Sequence, residues 1–214
     1  SAGDTTGTVS FTPSDDSVYE GNETAVISIS SVSGADAAES GSQSVTITIT
    51  ENESAPTVTL ATSAASIAEN AGSSLTLTAT LSNATTEDVT VALSTSGTGT
   101  EGTDYSTISD ITVSAGSTTG TVSFTPTDDS VYEGNETGVV AISSVSGGSA
   151  NESGTPQEVT ITITDNESAP TVTLSTSASS IAENAGSSLT LTATLTKATT
   201  ADVTVGIITS GTGT

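Results

Sequence analysis

LTLTATL, residues 75–81, is the stretch on which the fold turns. Leu75, Leu77, Ala79 and Leu81 share one side and Thr76, Thr78 and Thr80 the other, the period-two signature of a strand with one face in a core. The same alternation returns with Val89, Val91 and Leu93, with Val122 and Phe124, with Val140 and Ile142, and with Val159, Ile161 and Ile163. Outward threonines raise strand propensity through their branched Cβ without adding apolar surface. No segment carries a helical period, and turn signals such as Asn70-Ala71-Gly72 and Gly97-Thr98-Gly99 separate the runs. The expectation is an all-β chain with about seven short strands per unit, an immunoglobulin-like sandwich. Its aliphatic and aromatic side chains are expected to form the core, Tyr105, Phe124 and Tyr132 among them.

Outward from this strand the sequence repeats itself. SAGDTTGTVSFTPSDDSVYEGNET from Ser1 returns at Ser114 as SAGSTTGTVSFTPTDDSVYEGNET, and TVTLATSAASIAENAGSSLTLTATL from Thr57 returns at Thr171 as TVTLSTSASSIAENAGSSLTLTATL. Self-similarity at this spacing marks tandem copies of one small domain. Ser-Ala-Pro at 54–56 and again at 168–170 forms natural linkers, stiffened by proline. The expected organisation is therefore the C-terminal half of one repeat over 1–53, a complete repeat over 57–167 and the N-terminal half of another over 171–214. Between tail and head only the counterpart of 101–113 is missing. Two arrangements follow: a window on a continuous array, or protomers whose half-domains complete one another head to tail.

Twenty-five acidic side chains face a single basic one, Lys197, for a net charge of −24. Nucleic acid and anionic lipid are excluded as partners, since binding phosphates needs Lys and Arg to displace counterions. With no Cys and no His, disulfides and the usual Zn, Fe and Cu ligand sets are excluded too, leaving only hard oxygen donors. No apolar run approaches the roughly 20 residues of a membrane-spanning helix. The sequence holds 84 Ser and Thr against 42 Val, Ile, Leu and Phe, a thin apolar supply that favours an outside source of stability such as bound metal.

Within the complete repeat the acids gather at Glu69, at Asp104, in Asp128-Asp129-Ser-Val-Tyr-Glu133-Gly-Asn-Glu136, and at Asp165-Asn166-Glu167. Each group falls at a strand end or in a loop. Like charges about 4 Å apart repel by about 4 kcal/mol at an effective dielectric near 20, so convergence on one pole of the sandwich requires a cation. Calcium, with about 6 to 8 oxygen ligands in tolerant geometry, suits such a pole best. The alternative is a merely solvated acidic surface. Asp15, Asp16, Glu20, Glu23, Glu51 and Glu53 recur in the first half-repeat.

IAENAG, GTDY, DDxxYEGNET and TITITDNE, in this order within one period, resemble the Calx-beta repeat across essentially the whole chain. The resemblance implies a seven-stranded sandwich with Greek-key connections that binds Ca²⁺ at the pole facing the next domain. It implies Glu69, Asp104, Asp128, Asp129, Glu133, Glu136 and Asp165 as ligands, Val131 through its carbonyl, and Glu167 in support. In the half-repeats it implies the counterparts Asp15, Asp16, Val18, Glu20, Glu23, Glu51, Glu53 and Glu183. The run after the last strand is less acidic than in many calcium-binding relatives.

Three functions compete. A structural or adhesive extracellular array, secreted or on a cell surface and stiffened by Ca²⁺, accounts for near-identical copies; its partners are calcium, neighbouring repeats or copies of the same chain, and a surface or host ligand. A calcium-sensing regulatory domain needs only one or two specialised units. Sugar hydrolysis by Asp128 and Glu133 needs a cleft usually lined by aromatics, yet the chain has five, so a non-catalytic spacer of a secreted enzyme is the nearer alternative. Sequons at Asn22, Asn52, Asn83, Asn135, Asn151 and Asn166 are candidate glycosylation sites.

Overall fold

The computed structural model describes residues 3–154 and 156–212, and among them every regular element is a strand. Residues 1–53 contribute β1 (Val18–Tyr19), β2 (Glu23–Ser28) and β3 (Ser44–Ile49). The complete repeat contributes β4 (Thr57–Thr62), β5 (Ser66–Ala68), β6 (Leu75–Leu81), β7 (Ala84–Thr85), β8 (Val89–Gly97), β9 (Ile111–Val113), β10 (Thr119–Phe124), β11 (Glu136–Ser146), β12 (Asn151–Glu152) and β13 (Glu158–Thr164). Residues 171–214 add β14 (Val172–Thr176) and β15 (Leu191–Leu195).

Two sheets make the sandwich of the complete repeat. One has the order β10-β6-β4-β12 and the other β5-β13-β11-β8-β9. The seven principal strands are antiparallel where they meet; the short β5 and β12 add parallel pairings at the edges. Alternation does its expected work: Leu77, Ala79 and Leu81 are buried while Thr78 and Thr80 are not. Among the described residues the seventeen side chains of the hydrophobic core lie from Val58 to Ile163, in one cluster. At its centre the Tyr105 and Phe124 rings stack with centroids 4.7 Å apart. Gly138 in β11 lets them sit there, because a Cβ at that position would stand 2.9 Å from Phe124 Cε2 and Cζ. A register shift between Ile142 and Ser144 bulges β11 against β8.

Tyr132 departs from expectation. It is half-buried and lies outside the core, where it forms a parallel bridge to Thr199 of the following repeat. Its N–H donates to the Ala198 carbonyl at 3.0 Å. The counterpart pair at the preceding seam does the same: β1 runs parallel to β7, with Val18 opposite Ala84 and Tyr19 opposite Thr85. Thr85 is itself fixed, its hydroxyl donating to the Glu87 carbonyl (2.5 Å) and its carbonyl accepting from Gly116 N (2.7 Å).

Candidate metal centre

Four loops deliver carboxylates to the pole of the complete repeat that adjoins residues 168–170. Glu69 follows β5, and its N–H donates to the Thr164 carbonyl across the β5–β13 pairing, which anchors it beside the end of β13. Asp165 and Glu167 leave that end of β13. Asp104 sits in the turn after Thr100, capping it by accepting the Thr100 N–H at 2.6 Å. The 128–134 loop brings Glu133, and Glu136 opens β11.

Two triads result: Glu69 with Asp165 and Glu167, and Asp104 with Glu133 and Glu136. Within each, one carboxylate oxygen per residue lies within 4.8 Å of the others. Oxygens bound to one calcium at 2.3–2.6 Å can be no farther apart than about this distance, so the spacing fits a shared ion. Many acids also hold the 128–134 loop by accepting its backbone N–H groups, which fixes their own orientation. Glu69 accepts from Asp129 (2.9 Å), Asp129 from Val131 (2.6 Å), and Asp165 from both Glu133 (2.8 Å) and Gly134 (2.6 Å). The second oxygen of Asp165 accepts from Glu167 N at 2.6 Å.

Electrostatics record the crowding. Burial raises the Glu69 carboxyl above its usual range, with Glu167, Asp129 and Asp165 adding repulsion that the Asp129 N–H partly offsets. Glu133 is raised by burial and by Asp104, Asp129, Glu69 and Asp165, so it feels both triads at once. Glu136 is pushed up to about 7 by burial first and then by Asp104 and Glu133. Asp165 alone goes the other way: burial pushes upward, but the N–H groups of Glu167, Glu133 and Gly134 outweigh it. Glu167 is raised by desolvation and Asp165, with Lys197 of the next repeat pulling downward. The donor set is all oxygen and strongly anionic, as a hard divalent cation requires.

Of the other expected ligands, Asp128 and Asp129 lie outside both triads. With its amide nitrogen turned toward the carboxylates, Asn166 donates to Asp128 Oδ1 (3.2 Å) and Glu167 Oε2 (3.3 Å). Val131 enters through its N–H. In the first half-repeat Asp15, Asp16, Val18, Glu20, Glu23, Glu51 and Glu53 line one hollow, and the bonding pattern is reproduced. Glu51 stands in for Asp165, accepting from Glu20 N (2.6 Å) and Gly21 N (2.7 Å). Backbone N–H groups of Glu53 and Glu20 hold its carboxyl down at about 2. Among the described residues no triad closes there, since the partners corresponding to Glu69 and Asp104 are not beside it. Glu183, the counterpart of Glu69, is exposed at the far end of the chain.

The sequon asparagines are partly engaged. Asn22 Oδ1 accepts from Glu51 N and Asn135 Oδ1 from Asp165 N. Asn52 donates to Asp15, Asn83 to the Ser54 carbonyl and Asn151 to the Ser149 carbonyl. The feature that sequence reading missed is the receiving edge Ala84–Thr85 and its counterpart Ala198–Thr199. Ala-Thr-Thr does recur at both places, but the contact uses backbone groups that every residue owns.

The family model of the Calx-beta domain matches residues 1–53 and 51–167. Among solved structures, the apo form of the Calx CBD1 domain is 18% identical with a TM-score of 0.43, over 52% of this chain and 99% of that one. CBD12 from CALX1.2 is 18% identical with a TM-score of 0.42, over 50% and 45%. The calcium binding domain CBD12 of CALX1.1 is 20% identical with a TM-score of 0.40, over 47% and 40%. No curated protein matches the sequence.

Proposed function

Because this chain belongs to the Calx-beta family, we propose that it is a calcium-binding structural segment of an extracellular repeat array, secreted or displayed on a surface. The observation that carries the reading is the meeting of two carboxylate triads at the pole that adjoins the next repeat. Ca²⁺ held by Glu69, Asp165 and Glu167, and by Asp104, Glu133 and Glu136, with Val131 supplying its carbonyl and Asp128 and Asp129 close at hand, would neutralise this pole. The ion supplies charge compensation; the chain's own residues supply orientation. Asp165, Glu69 and Asp129 clamp the loop whose Tyr132 bridges to the following repeat, so metal at the pole would restrict bending at the seam. On this reading 1–53, 57–167 and 171–214 are half, whole and half repeats, joined at 54–56 and 168–170.

Near-verbatim copying of one unit, oxygen-only donors and a net charge of −24 favour an extracellular load-bearing or adhesive setting, where calcium is abundant. Sugar hydrolysis is disfavoured by five aromatics in the whole chain, too few to line a sugar cleft. Titration calorimetry together with small-angle scattering tests the proposal. The expected result is calcium binding in the near-millimolar range of extracellular modules and a longer, stiffer particle in calcium than in chelator. No heat of binding would end the calcium reading; micromolar binding would move the function to sensing.

A further inference from the structure

The turn that receives the preceding repeat is copied from one joint to the next with one change of charge. Asn83-Ala84-Thr85-Thr86 becomes Lys197-Ala198-Thr199-Thr200, and Lys197 is the only basic residue of the chain. In the complete repeat the side chain at this position has a visible task. Asn83 Nδ2 donates to the Ser54 carbonyl at 2.9 Å, tying the turn to the linker one residue after Glu53. The backbone contact that fixes the turn is shared by both joints: Tyr19 lies opposite Thr85 and Tyr132 opposite Thr199, and Tyr132 N donates to the Ala198 carbonyl at 3.0 Å. Residue 197 is therefore held one position from that carbonyl, on the side of the linker at Ser168 and of Glu167, a member of the first triad. We propose that Lys197 is an affinity-determining residue for the cation at this pole, a positive charge supplied by the following repeat that shares Glu167 with the metal. The proposal rests on the calcium reading of the pole.

The two side chains differ in reach as well as in charge. Asparagine, with one methylene, stops at the linker carbonyl, whereas the four-carbon stem of an exposed lysine carries its ammonium past the linker toward the acids beyond. The field is registered where this placement puts it: desolvation and Asp165 push the Glu167 carboxyl up, and Lys197 pulls it down. Without metal, Lys197 offsets part of the repulsion among Glu69, Asp165 and Glu167 and holds the following repeat to the pole. With metal, two cations face one set of carboxylates and repel each other. Calcium therefore binds less tightly than the acids alone would dictate, and the joint keeps part of its order in the absence of calcium. At the preceding joint the neutral Asn83 ties the linker without this competition. Glu87, whose counterpart is Ala201, leaves the contrast intact, because its carboxylate is taken by Gly148 N of its own repeat at 3.2 Å.

The test compares the 214-residue chain with Lys197→Met, which keeps an unbranched stem and drops the charge, and Lys197→Arg, which keeps the charge. The site lies outside the central core, and the central melting transition in chelator is checked for each variant. Titration calorimetry with calcium should show the methionine variant binding about threefold more tightly than the parent in about 0.02 M salt, with the arginine variant matching the parent. The difference should vanish near about 1 M salt, where the Debye length contracts to about 3 Å. In chelator, distances between spin labels on the central and last repeats should spread more widely for the methionine variant than for the other two, and in saturating calcium all three should agree. A methionine variant that binds calcium no more tightly than the parent at low salt would overturn the proposal. So would an arginine variant that behaves like the methionine one, or a difference that persists at high salt, which marks packing of the stem in place of its charge. A parent chain with no heat of calcium binding brings down the calcium reading and this proposal together, whereas equal affinities of parent and methionine variant bring down this proposal alone.

Discussion

Glu136→Gln should stabilise the metal-free protein and destabilise the calcium-loaded one. In the native state the Glu136 carboxyl is pushed from an ordinary 4.5 up to about 7 by burial, Asp104 and Glu133. The folded chain therefore holds this proton between about pH 4.5 and pH 7, where the unfolded chain has released it. Stability falls as pH rises through that window, and the full penalty applies above about pH 7. At 1.36 kcal/mol per tenfold change the shift corresponds to about 3 kcal/mol, but the carboxyl keeps much of its contact with water, and solvent screening reduces this to about 1 kcal/mol. Glutamine keeps the shape and removes the charge. In chelator at about pH 8 the variant should melt about 4 °C above the parent, and the two should converge toward about pH 4.5. In excess calcium the order should invert, because a ligand lost at the cost of about tenfold in affinity removes about 1.4 kcal/mol of binding stabilisation. Calorimetric melting of both proteins across pH, with calcium and with chelator, measures all of this. If the variant melts no higher than the parent in chelator at about pH 8, the acids are not repelling one another at this pole and the reasoning fails.

Asp165→Asn retains an acceptor for the Glu133 and Gly134 N–H groups but drops the charge; calcium affinity by titration calorimetry should fall by about tenfold or more, with the larger loss of stability seen only in calcium. Gly138→Ala drives a Cβ to 2.9 Å from the Phe124 ring, and should lower stability by about 1–3 kcal/mol equally with and without calcium, read by thermal melting. Tyr132→Pro removes the N–H that reaches Ala198. It should broaden the distribution of distances between spin labels on the central and last repeats while leaving the central melting temperature within about 2 °C.

What the sequence reveals and what it hides follows from which groups make each contact. The sandwich was legible because burial acts on side chains with a period of two: Leu77, Ala79 and Leu81 announce their face before any pairing is known. The resemblance named Glu69, Asp104, Asp128, Asp129, Glu133, Glu136 and Asp165 as one undivided set with Glu167 in support; their division into two triads depends on pairings such as β5–β13, which no local sequence pattern announces. Tyr132 was misread because an aromatic in a thin apolar supply looks like core. Its surroundings are the next repeat, and its contact runs through backbone N–H and C=O groups that carry no sequence signature. Glu101 escaped notice for a different reason. It staples its own loop by accepting from Thr95 Oγ1 and Ile108 N, both at 2.6 Å, and nothing in composition separates such an acid from one that faces a cation.

The two parallel bridges, Val18–Tyr19 on Ala84–Thr85 and Tyr132 on Thr199, join equivalent residues in the same sense. Were each joint to hold one rotation and one translation, units added through the same residues would follow a screw of constant pitch. Features displayed once per unit, an asparagine-linked sugar among them, would then wind around such an array as a single evenly spaced track.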